Sequence, residues 1–152
     1  MSFMLSDVRD ELLPQIAEIE RECFSLPWTE TMLRAQLDGE RHVFLAALED
    51  GTVLGYAGFS HVLDEGYISN VAVAPAYRRR GVAAALVAEL IRRARALALA
   101  FLTLEVRESN APAAALYARQ GFRVVGRRRG YYEKPREDAL LMTLELENER
   151  IS

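Results

Sequence analysis

The stretch "VAVAPAYRRRGVAAAL", Val71 to Leu86, decides how this chain reads. Its first part alternates valine and alanine and stops at Pro75, as a buried strand does. Its last part opens at Gly81 and carries alanine, valine and leucine in a helical pattern. Arg78, Arg79 and Arg80 stand between them. A strand passing through a short turn into a helix is the opening of a β–α–β unit.

The turn itself suggests chemistry. The first turn of a helix carries unpaired N–H groups and the positive end of the dipole, so it attracts phosphate. Gly81 and Ala83 remove side-chain bulk where an anion would approach the backbone. The arginines add charge and forked donors. On these residues alone three readings stand side by side: a solvated cluster, a nucleic-acid patch, and the lip of a phosphate pocket.

Working downstream, a helix is predicted over 81–99, with Val82, Leu86, Leu90, Ala94 and Leu97 on one face. "FLTLEV" (101–106) reads as a short apolar strand. "NAPAAALYARQGF" (110–122) reads as a helix with Asn110 as N-cap, Pro112 in the first turn and Gly121 at its end. "FRVVGR" (122–127) and "DALLMTLEL" (138–146) complete the strands.

Upstream, "ELLPQIAEIERECF" (11–24) places Leu12, Ile16, Ile19 and Cys23 at helical spacing. Pro27 breaks that helix. Thr29 then caps a second one through about Leu37, with Met32, Leu33 and Leu37 as its apolar stripe. "HVFLAALE" (42–49) ends at the hairpin signal Asp50-Gly51, and "VLGYAGFSHV" (53–62) pairs back. "GYISNVAVAP" (66–75) is the third strand of this group. The order is roughly βααβββαβαββ. It predicts one three-layer α/β (α+β) domain over residues 1–152, a mixed sheet covered by helices.

The totals bound the function. The chain is 51% hydrophobic and 27% charged, enough for a sizeable core, and its net charge of -3 argues against nucleic-acid binding in bulk. Cys23 is the sole cysteine, so no internal disulfide can form and a reducing compartment fits. The start lacks a signal-peptide pattern, and no apolar run reaches the ~20 residues that span a bilayer. A soluble cytoplasmic protein without a membrane partner is expected. Cys23, His42 and His61 show no zinc-ligand spacing, so no metal is expected. GxSxG, GxxxxGK[ST] and GxGxxG patterns are all missing from the sequence.

Arg78-Arg79-Arg80-Gly81-Val82-Ala83 resembles the acyl-CoA motif of the GNAT N-acetyltransferase superfamily, R/Q-x-x-G-x-G/A, with Ala83 in the second small position. "LEVRESNAPAAALYARQGF" (104–122) is similar to the rest of that family's site. Together with "FSLPWTETML" (24–33) and "RRRGYYEKPREDALLMTLEL" (127–146), it resembles the RimI group, which acetylates the N-terminal alanine of a ribosomal protein. The resemblance implies the GNAT fold, with a mostly antiparallel central sheet. It also implies acetyl-CoA as co-substrate and a protein N-terminus as acceptor. A small-molecule amine or a lysine side chain is the alternative acceptor. A non-catalytic acyl-CoA-binding protein is the third reading.

Roles follow residue by residue. In "LTLEVRE", Leu102, Leu104 and Val106 alternate to one face and leave Thr103, Glu105 and Arg107 on the other. A carboxylate inside a short apolar strand is costly unless paired or useful. Pairing with Arg107 or a neighbouring arginine is one account, and the resemblance makes Glu105 the general base. It likewise makes Tyr117 the acid that protonates the departing sulfur, although periodicity alone fits a core aromatic. The family's cofactor contacts carry over to the backbone of Val71, Ala72 and Val73 beside a strand bulge. They also carry over to Arg78, Arg79, Arg80, Gly81, Val82, Ala83 and Ala84, and to Asn110 and Tyr117. Trp28, Tyr131 and Tyr132 fall where the RimI group walls its peptide slot. Asp138, with Glu30, Glu133 or Glu137, is a candidate for a basic substrate tail. Arg127, Arg128 and Arg129 receive no role beyond solubility or a ribosomal contact.

Overall fold

A computed structural model describes residues 2–146. Among them, seven strands form one sheet in the order β1-β2-β3-β4-β5-β7-β6. The strands are β1 (Met4–Asp7), β2 (His42–Glu49), β3 (Thr52–Val62), β4 (Glu65–Val73), β5 (Phe101–Arg107), β6 (Arg123–Tyr132) and β7 (Glu137–Glu145). All neighbours run antiparallel except β4 and β5. The helices are α1 (Leu13–Cys23), α2 (Glu30–Arg34), α3 (Val82–Ala96) and α4 (Ala111–Arg119).

The alternation of the strands builds two cores. Leu45 and Ala47 of β2 join the apolar cluster that holds α3 and Tyr117 of α4, whereas Phe44 and Ala46 join the one that holds α1 and Leu33 of α2. Helices therefore cover both faces, giving the expected three layers. Asp50 and Gly51 both take positive φ, 52° and 81°, as a two-residue hairpin turn between right-twisted strands requires.

Boundaries shifted where local chemistry overrode the pattern. The first helical segment opens as a 3₁₀ turn, Asp10–Leu12, before α1. Thr29 caps α2 through Met32 N–H at 3.2 Å, but α2 is five residues long and tightens into a 3₁₀ turn. Leu33 consequently faces the core and Met32 faces solvent. Helix α3 ends at Ala96, because Ala98 turns to φ 60°, and so Leu97 is exposed rather than on the buried face. Strand β6 runs on to Tyr132, five residues past the expected end. An edge strand needs pairing on one side only, so its arginines project into solvent without breaking the ladder.

The feature that places the site is the β4–β5 pair. It is in register only over Glu65–Tyr67 and Phe101–Thr103. Beyond those rungs both strands continue, to Val73 and Arg107, with no further pairing between them. They splay apart, and the sheet opens into a V.

Candidate active site

A cavity of about 660 Å³ occupies the splay. Its walls are Ile68–Val71 of β4, Leu104–Arg107 of β5, the α1 end and following loop including Trp28, the start of α4, and Tyr131–Pro135 at the β6–β7 turn. Glu105, Asn110, Tyr117, Trp28, Tyr131 and Tyr132 therefore meet around one space, although they come from four separate parts of the chain.

Glu105 points away from the apolar face of β5, as its alternation requires. Its side chain is only 5% exposed. Oε1 accepts from the Tyr67 hydroxyl at 2.5 Å and from the Tyr131 hydroxyl at 3.4 Å. Oε2 accepts from Arg128 Nε at 2.7 Å. The compensating cation is thus Arg128, from the edge strand, and not Arg107. Arg107 instead donates to Glu137 at 3.1 Å and to the carbonyls of Glu133 and Pro135, and lies 4.3 Å over the Tyr132 ring. It fastens the β6–β7 turn to β5. Arg128, given no place in the site by sequence, sits on the candidate base.

Tyr117 is buried on α4, edge-on to Phe122 at 5.7 Å. Burial pushes its phenol well above the ordinary tyrosine value. Burial first, then Tyr131 and Glu105, pushes the Tyr132 phenol up to about 12. Both hydroxyls stay protonated through the neutral range. Asn110 caps α4 by accepting from Ala113 N–H at 3.2 Å, and it also lines the cavity.

The bulge lies at Ser69: Gly58 pairs with Asn70 and Phe59 with Ile68, leaving Ser69 unpaired. Val71, Ala72 and Val73 pair with β3 on one side and have no strand partner on the side that faces the opening. A few residues on, Gly81 stands at φ 78° as the N-cap of α3, a conformation that costs glycine little. A Cβ built there meets nothing within 4 Å, so the turn is open. Arg80 is tied to Glu49 at 2.9 Å and Ser2 at 2.8 Å. Arg78 donates to the Val73 carbonyl at 3.2 Å and to Cys23 Sγ at 3.4 Å. Arg79, at φ 68°, makes no hydrogen bond or ion pair with another described residue. An exposed edge, a bulge and an open helix N-terminus in sequence suit an extended ligand with a pyrophosphate at one end.

Asp138 is not among the cavity-lining residues. It accepts the Gly130 N–H at 2.8 Å and lies 3.6 Å from Arg127. Glu137 is occupied by Arg107 and by the Ser109 N–H, whereas Glu133 lines the cavity. Sequence reading missed Tyr67, Arg128 and the buried Glu20. Glu20 did carry a signal: it lies four residues after Ile16, beside the buried stripe of α1. Among the described residues no group of His, Cys, Asp or Glu could hold a metal. No helix there is long and apolar enough to cross a membrane.

Comparison with known proteins agrees with this geometry. The model of the acetyltransferase (GNAT) family matches residues 13–122. The [ribosomal protein bS18]-alanine N-acetyltransferase of Escherichia coli K12 is 38% identical over 142 residues, covering 92% of this chain and 95% of that protein. The crystal structure of the E. coli ribosomal-protein-S18-alanine N-acetyltransferase superposes with a TM-score of 0.88 at 36% identity, over 95% and 94% of the two chains. At the level of fold, yncA of Salmonella typhimurium, solved with its cofactor acetyl-CoA, matches with a TM-score of 0.83 at 21% identity over 96% and 95%. The chain belongs to the GNAT family of acetyltransferases, as a RimI-like member.

Proposed function

We propose that this enzyme transfers an acetyl group from acetyl-CoA to the α-amino group of an N-terminal alanine, on a ribosomal protein like the one its curated relatives are named for. The observation that carries the reading is the convergence of Glu105, Tyr117 and the aromatic walls on one cavity at the splay of β4 and β5.

Acetyl-CoA supplies the acetyl thioester, and the chain supplies position and protons. The backbone N–H groups from Arg79 to Ala84, which run from the turn into the start of α3, hold the pyrophosphate together with the Arg79 guanidinium. The free edge of Val71–Val73 pairs with the pantetheine arm. An N–H beside the bulge faces the acetyl carbonyl and stabilises the oxyanion that develops there. Trp28, Tyr131 and Tyr132 wall the peptide. The acceptor arrives as an ammonium with a pKa of about 8, and Glu105 takes its proton directly or through one water. The amine attacks the carbonyl carbon, the C–S bond breaks as Tyr117 gives its proton to the departing sulfur, and the second proton released by the acylated nitrogen restores the Tyr117 phenol. The rest of the ring packs on Phe122, so one side chain serves the core and the reaction.

The test is a matched pair of peptides. One begins with a free alanine, and the other carries the same sequence with a blocked N-terminus and an internal lysine. Mass spectrometry should place the acetyl group on the α-amine of the first and leave the second unmodified. Glu105→Gln should lower kcat at least ~10²-fold, as loss of a general base does, with the acetyl-CoA KM unchanged. A polyamine that exceeds every peptide in kcat/KM would overturn the assignment of the acceptor.

A further inference from the structure

Glu20 is the most deeply buried charged residue among the described residues, 1% exposed, and the donors on its carboxylate are all uncharged. It sits on α1 in the cavity wall. Oε1 accepts the backbone N–H of Trp28 at 2.8 Å. Oε2 accepts Asn70 Nδ2 at 2.7 Å and also the hydroxyl of Tyr56. Three parts of the chain thus meet on one carboxylate: the loop before α2, the core of β3, and β4 at the residue after its bulge.

This arrangement costs stability. A buried carboxylate without a cation is unfavourable, and a leucine would fill the same space more cheaply. A carboxylate can only accept, so Asn70 must turn its amide nitrogen toward it. Asn70 Oδ1 is then left buried with no hydrogen-bond partner. Two unfavourable features concentrated on one wall of a reaction cavity mark a place where geometry is kept at the expense of stability.

We propose that Glu20 is a positioning residue for the acceptor, fixing Trp28 against Asn70 and so setting the shape of the slot between the peptide wall and the bulged strand. The inference rests on the acceptor reading above. Glu20 touches neither reacting group; it acts through the Trp28 N–H and the Asn70 amide.

Trp28 is the chain's sole tryptophan, so emission and acrylamide quenching report on that wall alone, with or without turnover. Glu20→Ala should raise quenching of Trp28. It should also raise the KM for an alanine-terminated peptide about tenfold, the effect of one charge-assisted hydrogen bond, with the acetyl-CoA KM within about twofold of wild type. Glu20→Gln keeps an oxygen for the Trp28 N–H, so it should show the same changes in smaller measure. Asn70→Ala should raise the peptide KM as well. Where Glu20→Ala does not fold, the Gln and Asn70 variants decide. Folded variants with wild-type quenching and peptide KM would overturn the proposal, as would a parallel rise of both KM values. Should wild type acetylate no peptide, the acceptor reading fails, and quenching alone still decides whether Glu20 orders the wall.

Discussion

The Tyr67 hydroxyl donates to Glu105 Oε1 across 2.5 Å, linking β4 to β5 just past their last paired rung, Tyr67 with Thr103. The bond spans the place where the strands begin to part. It therefore fixes both the carboxylate and the mouth of the V. Burial and the Glu105 carboxylate push the Tyr67 phenol well above its ordinary value, so it remains a donor across the working range. Tyr67→Phe removes one hydrogen bond to a charged group. We expect kcat to fall about tenfold with the acetyl-CoA KM unchanged. Steady-state kinetics with acetyl-CoA and peptide varied separately makes the check. An unchanged kcat would mean that Arg128 and Tyr131 orient the base without Tyr67.

Tyr117 offers a cleaner separation of chemistry from folding. Its ring is buried against Phe122, and a phenylalanine keeps that contact. Tyr117→Phe should therefore hold Tm within a few degrees and keep acetyl-CoA binding, while transfer slows by ~10² or more. Calorimetric binding of acetyl-CoA beside single-turnover transfer distinguishes the two effects. Wild-type transfer would remove the general-acid role.

Much of this site was legible in the sequence because strand and helix periods place side chains without knowledge of the fold. The alternation in "FLTLEV" alone put Glu105 opposite Leu104 and Val106, and the Asp50-Gly51 pair announced its hairpin. What stayed hidden depends on partners distant in sequence. Arg128 reaches Glu105 from 23 residues away, and only the β5-β7-β6 order brings them together. "RRRGYYEKPRED" reads as a loop because glycine, proline and charge dominate it, yet its first half is edge strand. Glu20 hides among Glu18, Arg21 and Glu22 until Tyr56 and Asn70 close over it.

The three arginines before α3 should behave differently from one another. Arg80 is already held by Glu49 and Ser2, and Arg78 by the Val73 carbonyl and Cys23, whereas Arg79 extends from the turn without such ties. Arg79→Ala should raise the acetyl-CoA KM about three- to tenfold, the value of one screened phosphate contact. Arg80→Ala should change it less and act mainly on stability. Gly81→Ala should raise it too: the added methyl meets open space, so its whole effect is strain at φ 78° of about 1–2 kcal/mol. Measuring the three variants across salt concentrations gives the comparison, since only the Arg79 effect should shrink as salt rises. An Arg80 effect larger than that of Arg79 would reverse the assignment.

Acid stability should depend on Glu89, in the middle of α3. Its bonds from Arg92, then from Arg93, hold its carboxyl at about 2 against an ordinary 4.5. Arg92 donates at 2.6 Å and Arg93 at 2.9 Å, and Arg93 also reaches Asp7 at 2.9 Å, so the cluster clips α3 to β1. A carboxyl depressed in the folded state stabilises the protein above its unfolded pKa, and the benefit disappears as pH falls through the folded value. The window therefore runs from about 4.5 down to about 2. The Glu89 side chain is 20% exposed and the Arg92 side chain 66%, so screening reduces the contribution to about 0.5–1 kcal/mol. Urea unfolding of wild type and Glu89→Gln should differ by that amount at pH 6, by less at pH 3.5, and by almost nothing near pH 2. A difference that stays constant down the series would mean the glutamine acts through helix propensity or packing, and the ion cluster would then carry no net stability.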